Sequence, residues 1–277
     1  MTDFVLTGFA DEISPDLGVQ LDTISGLGIK GLDLRGVNGL NVLALSDDDL
    51  KTVKEKCDQF GLHVSCIGSP VNKVACTPEN RKGEFEKLEK AIHAAKLTGT
   101  DRIRFFTPEV GPDENESKRD DVLDWVREQV ALATDHGMIL LHENDARFWG
   151  AYPENAKILF EEITTKHLVA AFDFANTVLI GYRPMTDWFP WLLPHLHTLH
   201  MKDAVESEHK VVPVGQGEGQ VEETLRWLIG QGWSGPLTLE PHLQAAGAFG
   251  GFSGPQLFEV ATNAVKTTLQ KAQEPAA

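Results

Sequence analysis

Four acidic or histidine side chains each follow an apolar run in the second half of the chain. They are Glu143 in LLHEN, Asp173 in AFDFAN, His200 in HTLHMKD and Glu240 in LTLEPH. Carboxylate oxygens and an imidazole nitrogen suit a divalent metal ion that keeps a position open for substrate. The sequence therefore predicts one metal site formed by these four residues, unless each is a strand-end group in a salt bridge or cap.

The runs that precede these residues have the pattern of buried parallel strands, and four more such runs lie earlier in the chain. The eight runs are FVLTGFA, IKGLDLRG, HVSCIGSP, DRIRFFTP, MILLHEN, LVAAFDFAN, LHTLHMKD and PLTLEPHL. Helical patterns alternate with them, which predicts an α/β protein with one (β/α)₈ TIM barrel over residues 1–277. The carboxyl ends of all eight strands would then meet at one face.

Helix boundary signals support this alternation. Ser14 and Pro15 predict a helix start with proline at the first helical position, and Ser46 with Asp49 resembles a capping box. The segment after the sixth strand is rich in Trp and Pro and has no clear pattern. No GxGxxG follows the first strand, so the open dinucleotide-binding sheet lacks its phosphate cradle.

Strand alternation brings two further side chains to the predicted site. Lys202 shares a face with His200, and there it would bind a substrate oxygen, help to protonate a leaving group, or form an ion pair. His242 shares a face with Glu240 and would act as a second acid or base, contact a hydroxyl, or bond to a loop. His142 and His197 should face away from the site.

Other candidates lie at the ends of earlier strands. Glu12 would bind sugar hydroxyls or serve as a cap, and the fork of Arg35 suits a carboxylate or vicinal oxygens. Arg104, inside an apolar strand, would be a pocket residue or an ion-pair partner. Trp149, in the loop after Glu143, would form an apolar wall against a sugar ring or simply pack.

Composition limits the class of partner. The 277 residues carry a formal charge of −16, which argues against a nucleic-acid surface, because such surfaces need a basic face. Three cysteines without metal-type spacing indicate reduced thiols. The N-terminus lacks the pattern of a signal peptide and no apolar run approaches a membrane span, so we expect a cytoplasmic protein without a membrane partner.

Several short motifs, in order along almost the whole chain, resemble the xylose-isomerase-like TIM-barrel superfamily in its sugar phosphate isomerase/epimerase branch. They are GFADEISPDL, GIKGLDLRGVNGLNVL, VSCIGSPVNKV, LLHEN, FDFAN, LHMKD, VPVGQGEGQV and LTLEPHL. The resemblance implies a small carbohydrate substrate and a possible homo-oligomer. It also implies that Glu143, Asp173, His200 and Glu240 hold one ion, Mn²⁺ first and otherwise Co²⁺, Mg²⁺ or Zn²⁺.

In the ketose epimerases of this superfamily the two Glu ligands also move protons at the carbon beside the substrate carbonyl, through an enediolate. The resemblance thus implies catalytic roles for Glu143 and Glu240. Two positions depart from the epimerase pattern: Asn176 replaces a His and Glu206 replaces an Arg, and both family residues help to hold the ketose. We expect Asn176 to contact the substrate or to orient the ligands.

These features predict a metal-dependent sugar isomerase or epimerase. One alternative is a lyase that catalyses β-elimination from 3-oxo-glycosides, as C-glycoside deglycosidases of the superfamily do, since the same proton abstraction begins that reaction. More distant alternatives are an apurinic endonuclease-like phosphodiesterase, disfavoured by the charge, and a non-catalytic sugar-binding barrel.

Overall fold

The computed structural model of the protein describes residues 4–247 and 250–274, and within them eight parallel strands close into a barrel. The barrel strands, β1 to β8, are Leu6–Gly8, Gly31–Leu34, His63–Ile67, Arg102–Phe105, Ile139–Glu143, Leu168–Asp173, Leu196–Met201 and Leu237–Leu239. Each strand pairs with its sequence neighbour, and β1 closes the barrel against β8 through Thr7 and Thr238. The predicted (β/α)₈ barrel is confirmed.

Helices cover the outside of the barrel. Helices α1 to α9 are Leu17–Gly26, Asp47–Gln59, Pro78–Thr98, Arg119–Asp135, Pro153–Glu162, Phe174–Leu179, Phe189–Leu192, Val221–Gly230 and Gly254–Gln273. Their buried faces and the outward faces of the strands form one large hydrophobic core. No helix among the described residues has the length and apolar character needed to cross a membrane.

Helix starts follow the local capping chemistry. Ser46 and Asp49 form the predicted capping box at the start of α2, with both reciprocal hydrogen bonds present. The predicted start of α1 at Pro15 is wrong: the helix begins at Leu17, because the carboxylate of Asp16 accepts the backbone N–H of Val19.

The strand predicted through Asn176 ends earlier, at Asp173. Asp173 is the N-cap of α6, and its Oδ1 accepts the backbone N–H of Asn176 at 2.8 Å. The segment without clear pattern forms α6, a π-helical turn at Pro184–Trp188 and α7. These turns are anchored because Phe172, Trp188 and Phe189 pack edge to face in the core.

The loop after β7 is organised around one buried carboxylate. Asp203 accepts the backbone N–H groups of Gly215 and Gly217 on Oδ2, and those of Ala204 and Gly219 on Oδ1, at 2.9 to 3.0 Å. A Cβ at Gly217 would lie only 2.4 Å from the carbonyl oxygen of Ala204, so the loop needs glycine there. Asp203 thus fixes the loop VGQGEGQ beside the carboxyl end of β7.

Asp203→Asn should therefore lower the free energy of unfolding by about 3 kcal/mol, because an amide cannot accept four N–H groups and its own NH₂ would face donors. Urea denaturation with intrinsic fluorescence measures this loss. Asp187→Asn is the matched control, since half-buried Asp187 accepts a single backbone N–H, from Arg183. Equal losses in the two variants would contradict the central role of Asp203.

Candidate metal centre

The four predicted ligands meet at the carboxyl ends of neighbouring strands β5 to β8. One ligand atom from each of Glu143, Asp173, His200 and Glu240 lies within 4.8 Å of the others, and all four residues are buried. Two oxygens bound to opposite sides of one ion are separated by ~4–5 Å, so this spacing suits a shared ion. The His200 Nδ1 lies 3.2 Å from Glu240 and 3.5 Å from Glu143.

Backbone contacts hold Asp173 in place. The side chain of Asn144 accepts the Asp173 N–H at 2.7 Å and donates to the Asp173 carbonyl at 2.9 Å. Asn144 also donates to the hydroxyl of Thr177, in the first turn of α6. The two strands β5 and β6 and the start of α6 are therefore locked together at the ligand.

Two arginines contact the carboxylate ligands from the side of β2 and β4. Arg35 donates to Glu240 at 2.9 Å, and Arg104 donates to Glu143 at 3.0 Å. Both guanidinium groups stack at 4.8 Å from the centre of the Phe9 ring, whose edge contacts His200. Arg104 is thus an ion-pair partner in the site, which is one of the two roles that its position in the sequence left open.

Lys202 lies against two of the ligands. Its ammonium is 2.8 Å from Asp173 and 3.5 Å from Glu240. Burial favours the neutral amine, but these carboxylates outweigh it and raise the Lys202 pKa well above its ordinary value. Burial likewise opposes ionisation of Glu240, yet Lys202 and hydrogen bonds from His200 and His242 hold the Glu240 pKa well below its usual range.

A second cluster joins Glu12 and His242 to the same centre. The His242 Nε2 lies 3.2 Å from Glu12 and 3.4 Å from Glu240, and Glu12 also accepts the backbone N–H of His242. The hydroxyl of Ser253 donates to Glu12. Burial raises the pKa of Glu12 to about 8 against the opposing charge of Arg35, and burial lowers the pKa of His242 to about 4.

The ion-pair network is unbalanced in charge. Among the described residues, five carboxyl groups (Asp11, Glu12, Glu143, Asp173 and Glu240) are connected to three permanent cations (Arg35, Arg104 and Lys202). With His200 neutral, full ionisation of these acids leaves two excess negative charges, with four of the five acids buried, and one divalent ion would neutralise them. Burial raises the pKa of Asp173 to about 6, so protons compensate where no cation is bound. Donor set, spacing and charge all fit a divalent metal.

Two predicted substrate contacts have other neighbours in the structure. Trp149 has no exposed surface, and its indole N–H donates to the carbonyl of Asn115. Trp149 therefore packs in the core. A sugar ring could contact it only if the turn Trp149–Ala151 moved. Asn176 is partly buried in the first turn of α6, three residues after the candidate ligand Asp173.

Sequence reasoning missed three residues that shape the site: Phe9, Asp11 and Ser253. Phe9 and Asp11 follow β1, so their position at a strand end was available as a signal. Asp11 accepts the Arg35 Nε at 2.7 Å and thereby directs the arginine toward Glu240. Ser253 lies in the glycine-rich loop that precedes α9, where no sequence pattern marks it as a partner of Glu12.

Above pH 7 the metal-free protein should lose stability as pH rises to 8. Burial raises the folded-state pKa of Glu12 to about 8, so the folded chain binds more protons than the unfolded chain in this window. Below pH 7 the trend is opposed, because burial lowers the pKa values of His142, His197 and His242 and the unfolded chain binds more protons at these residues. Urea denaturation in EDTA at pH 7, 7.5 and 8 measures the loss.

Glu12→Gln should remove most of this loss, because an amide does not titrate. Saturating Mn²⁺ should reduce the loss in the wild type, since the ion supplies positive charge that the protons otherwise provide. A wild-type free energy of unfolding that rises across this pH range would contradict the charge balance described above.

Comparison with known proteins places this geometry in a family. A sequence model described as xylose isomerase-like TIM barrel matches residues 21–251. No curated protein matches the chain. Among solved structures, a probable 3-DHS dehydratase, AsbF, from Bacillus anthracis has a TM-score of 0.75 at 16% identity, over 95% of this chain and 98% of that one.

Two other structures share the fold. A 3-keto-D-glucoside 4-epimerase, YcjR, from E. coli has a TM-score of 0.72 at 15% identity, over 98% of this chain and 100% of that one. A protein from Mycobacterium smegmatis in complex with magnesium has a TM-score of 0.67 at 17% identity, over 96% and 97%. Identities this low establish a shared fold. With the match of the family model over most of its length, the chain belongs to the xylose isomerase-like TIM-barrel family.

Proposed function

We propose that the protein is a divalent-metal-dependent isomerase or epimerase of a small sugar or keto-sugar. The observation that carries this proposal is the buried cluster of Glu143, Asp173, His200 and Glu240 at the carboxyl ends of four barrel strands. A divalent ion held by these residues would supply the positive charge that acidifies a C–H bond beside a bound carbonyl. Mn²⁺ is the ion we expect, with Co²⁺, Mg²⁺ and Zn²⁺ as alternatives.

The proton transfers fall to Glu143 and Glu240. The two carboxylates come from β5 and β8, and both contact the His200 Nδ1, so they flank one small volume. One glutamate, as a carboxylate, would take the proton from the carbon beside the carbonyl, and the other, as a carboxylic acid, would give its proton to the enediolate. Return to the opposite face gives epimerisation, and return to the neighbouring carbon gives isomerisation.

Lys202 and His242 would assist in different ways. The raised pKa of Lys202 keeps its ammonium protonated, so it would donate a hydrogen bond to a substrate oxygen and would not act as a base. His242 has a pKa lowered to about 4 and is neutral at pH 7. Its ring can therefore donate a hydrogen bond to a sugar hydroxyl or accept one from it. Arg35 and Glu12 would complete the substrate contacts near β1 and β2.

The structural neighbours support sugar chemistry of this kind. They include proteins described as an L-ribulose 3-epimerase and a 3-keto-D-glucoside 4-epimerase. Epimerisation at a carbon beside a carbonyl begins with removal of a proton from that carbon, which is the role proposed here for the two glutamates.

A lyase that catalyses β-elimination from a 3-oxo-glycoside is the second candidate, and the position of Lys202 favours it. A protonated amine beside the carboxylates can hydrogen-bond an oxygen that departs from the carbon next to the carbanion. One of the structural neighbours is described as a probable 3-DHS dehydratase. Asn176 and Glu206 also differ from the ketose epimerase pattern, and Glu206 pairs with Arg183 at 2.6 Å.

The proposed function predicts exchange of a substrate proton with solvent. A panel of ketoses and 3-oxo-glycosides, incubated in D₂O with the Mg²⁺-loaded protein, should show deuterium incorporation beside the carbonyl of at least one compound by NMR. Glu143→Gln and Glu240→Gln should each lower the exchange rate at least ~10³-fold, because each removes an acid/base group.

Glu223→Gln is the matched control, because Glu223 is an exposed acid on α8 and should leave the rate unchanged. A deuterated epimer or isomer supports the first candidate, whereas a released leaving group with an unsaturated keto-sugar supports the lyase. Absence of exchange and of elimination across the panel, in a protein shown to bind one metal ion, would contradict both.

A further inference from the structure

The barrel interior directly below the metal centre is unusual in being polar along one side. Interiors of (β/α)₈ barrels are generally filled by layers of bulky branched apolar side chains. Here one side is apolar, with Cys66, Leu141 and Ala171 packed together. The other side carries small polar groups from five strands: Thr7, Asp33, Ser65, Thr198 and Thr238.

These small side chains leave a cavity of about 290 Å³ inside the barrel. Phe9, Arg104 and His200 line its upper end, beneath the metal centre. Residues at or just before the starts of the strands line its lower end: Val5, His63, Arg102, His197 and Pro236. Because a water molecule takes ~30 Å³ in the liquid, the cavity has room for several.

Hydroxyl groups form a chain along the polar side. The Thr7 and Thr238 hydroxyls are 2.8 Å apart, and the Thr238 and Thr198 hydroxyls are 3.1 Å apart. The Ser65 hydroxyl donates to the Asp33 Oδ1 at 2.8 Å. Such a surface hydrates readily, whereas a cavity lined only by apolar side chains stays empty.

Three polar atoms of residues that line this cavity lack hydrogen-bond partners among the described residues: Oδ2 of Asp33, an acceptor, and Nε of Arg102 and of Arg104, both donors. Asp33 and Arg104 are almost fully buried, at 4% and 3% exposure, whereas the Arg102 side chain at the lower end is 38% exposed. A buried carboxylate oxygen or guanidinium N–H without a hydrogen-bond partner is energetically costly, so ordered water is the expected partner of the Asp33 and Arg104 atoms.

His200 offers a third group. Its Nδ1 faces the carboxylates of Glu143 and Glu240, while the ring lines the top of the cavity. A histidine that binds a metal ion through Nδ1 keeps a proton on Nε2, and this N–H needs an acceptor such as a carboxylate or water. No described residue accepts a hydrogen bond from Nε2 of His200.

We propose that a buried water cluster fills this cavity and joins the Asp33 carboxylate to Nε of Arg104 and to the Nε2 edge of His200. Asp33 is then a positioning residue for the metal centre. It orients His200 as a ligand, and it orients Arg104, which in turn holds Glu143 at 3.0 Å. The cluster itself follows from the cavity and its polar atoms, and only the effect on metal affinity rests on the proposed function.

A high-resolution crystal structure of the wild type and of Asp33→Ala tests the cluster. The wild type should show ordered water within hydrogen-bond distance of the Asp33 Oδ2 and the Arg104 Nε. In Asp33→Ala these waters should be lost or shifted, and Arg104 should turn away from Glu143. A dry cavity in the wild type would overturn the proposal, whether or not the protein binds a metal.

Metal affinity and the state of His200 test the positioning role. Asp33→Ala should weaken Zn²⁺ binding ~10- to 100-fold by competition titration, the usual range for a group that orients a metal ligand. Asp33→Asn keeps a hydrogen-bonding oxygen and should lose less Zn²⁺ affinity than Asp33→Ala. In ¹⁵N-histidine spectra of the Zn²⁺-loaded wild type, the Nε2 proton of His200 should be protected from solvent exchange, and that protection should fall in Asp33→Ala.

The matched control is Glu84→Gln, because Glu84 is a buried carboxylate outside the barrel interior that accepts the backbone N–H of Asn72. It should lower stability without changing Zn²⁺ affinity. If Asp33→Ala does not fold, the same measurements on Asp33→Asn test the positioning role of Asp33. Zn²⁺ affinity within twofold of the wild type, together with unchanged His200 exchange, would overturn the positioning role. A wild type that binds no Zn²⁺ would contradict the proposed function, and the crystallographic test of the water cluster would still stand.

Discussion

An excess of buried negative charge at the carboxyl ends of the strands is the constraint on which the rest of this structure depends. Carboxylates removed from water are costly unless cations or hydrogen bonds compensate for them. Arg35, Arg104 and Lys202 each contact at least one ligand carboxylate, and even so they do not balance the five acids of the network. The excess negative charge of these carboxylates therefore favours the binding of either protons or a divalent ion.

Much of the surrounding structure positions these charges. Asp173 caps α6 while its carboxylate faces the centre, so helix and ligand position are fixed by the same residue. Both guanidinium groups lie over the Phe9 ring, and this contact helps to keep them in place. Asp203 and its glycine-rich loop then enclose the carboxyl end of β7. The start of α6, the Phe9 ring and the loop held by Asp203 thus orient the charged side chains of the site.

Strand alternation predicted the faces of most residues near the centre. His142 points outward, where it packs between Phe105 and Phe160, and burial lowers its pKa to about 3. His197 was expected to face away from the site but lines the interior cavity. The pairing of β6 with β7 shifts register at this point, with Ala170 opposite Leu196 and Ala171 opposite Thr198. Thr198 and His200 share the inner face by alternation, and this irregularity lets His197 line the cavity as well.

The sequence alone determined the eightfold alternation of strands and helices, because apolar runs and capping residues are local signals. It also determined the identity of the four candidate ligands, since each stands at the end of a recognisable strand. Only the tertiary structure decided which cation meets which carboxylate, and that Phe9, Asp11 and Ser253 belong to the site. Those contacts join residues that are as much as 241 positions apart, as in the bond between Ser253 and Glu12. The closure of the barrel sets them, and no local pattern encodes that closure.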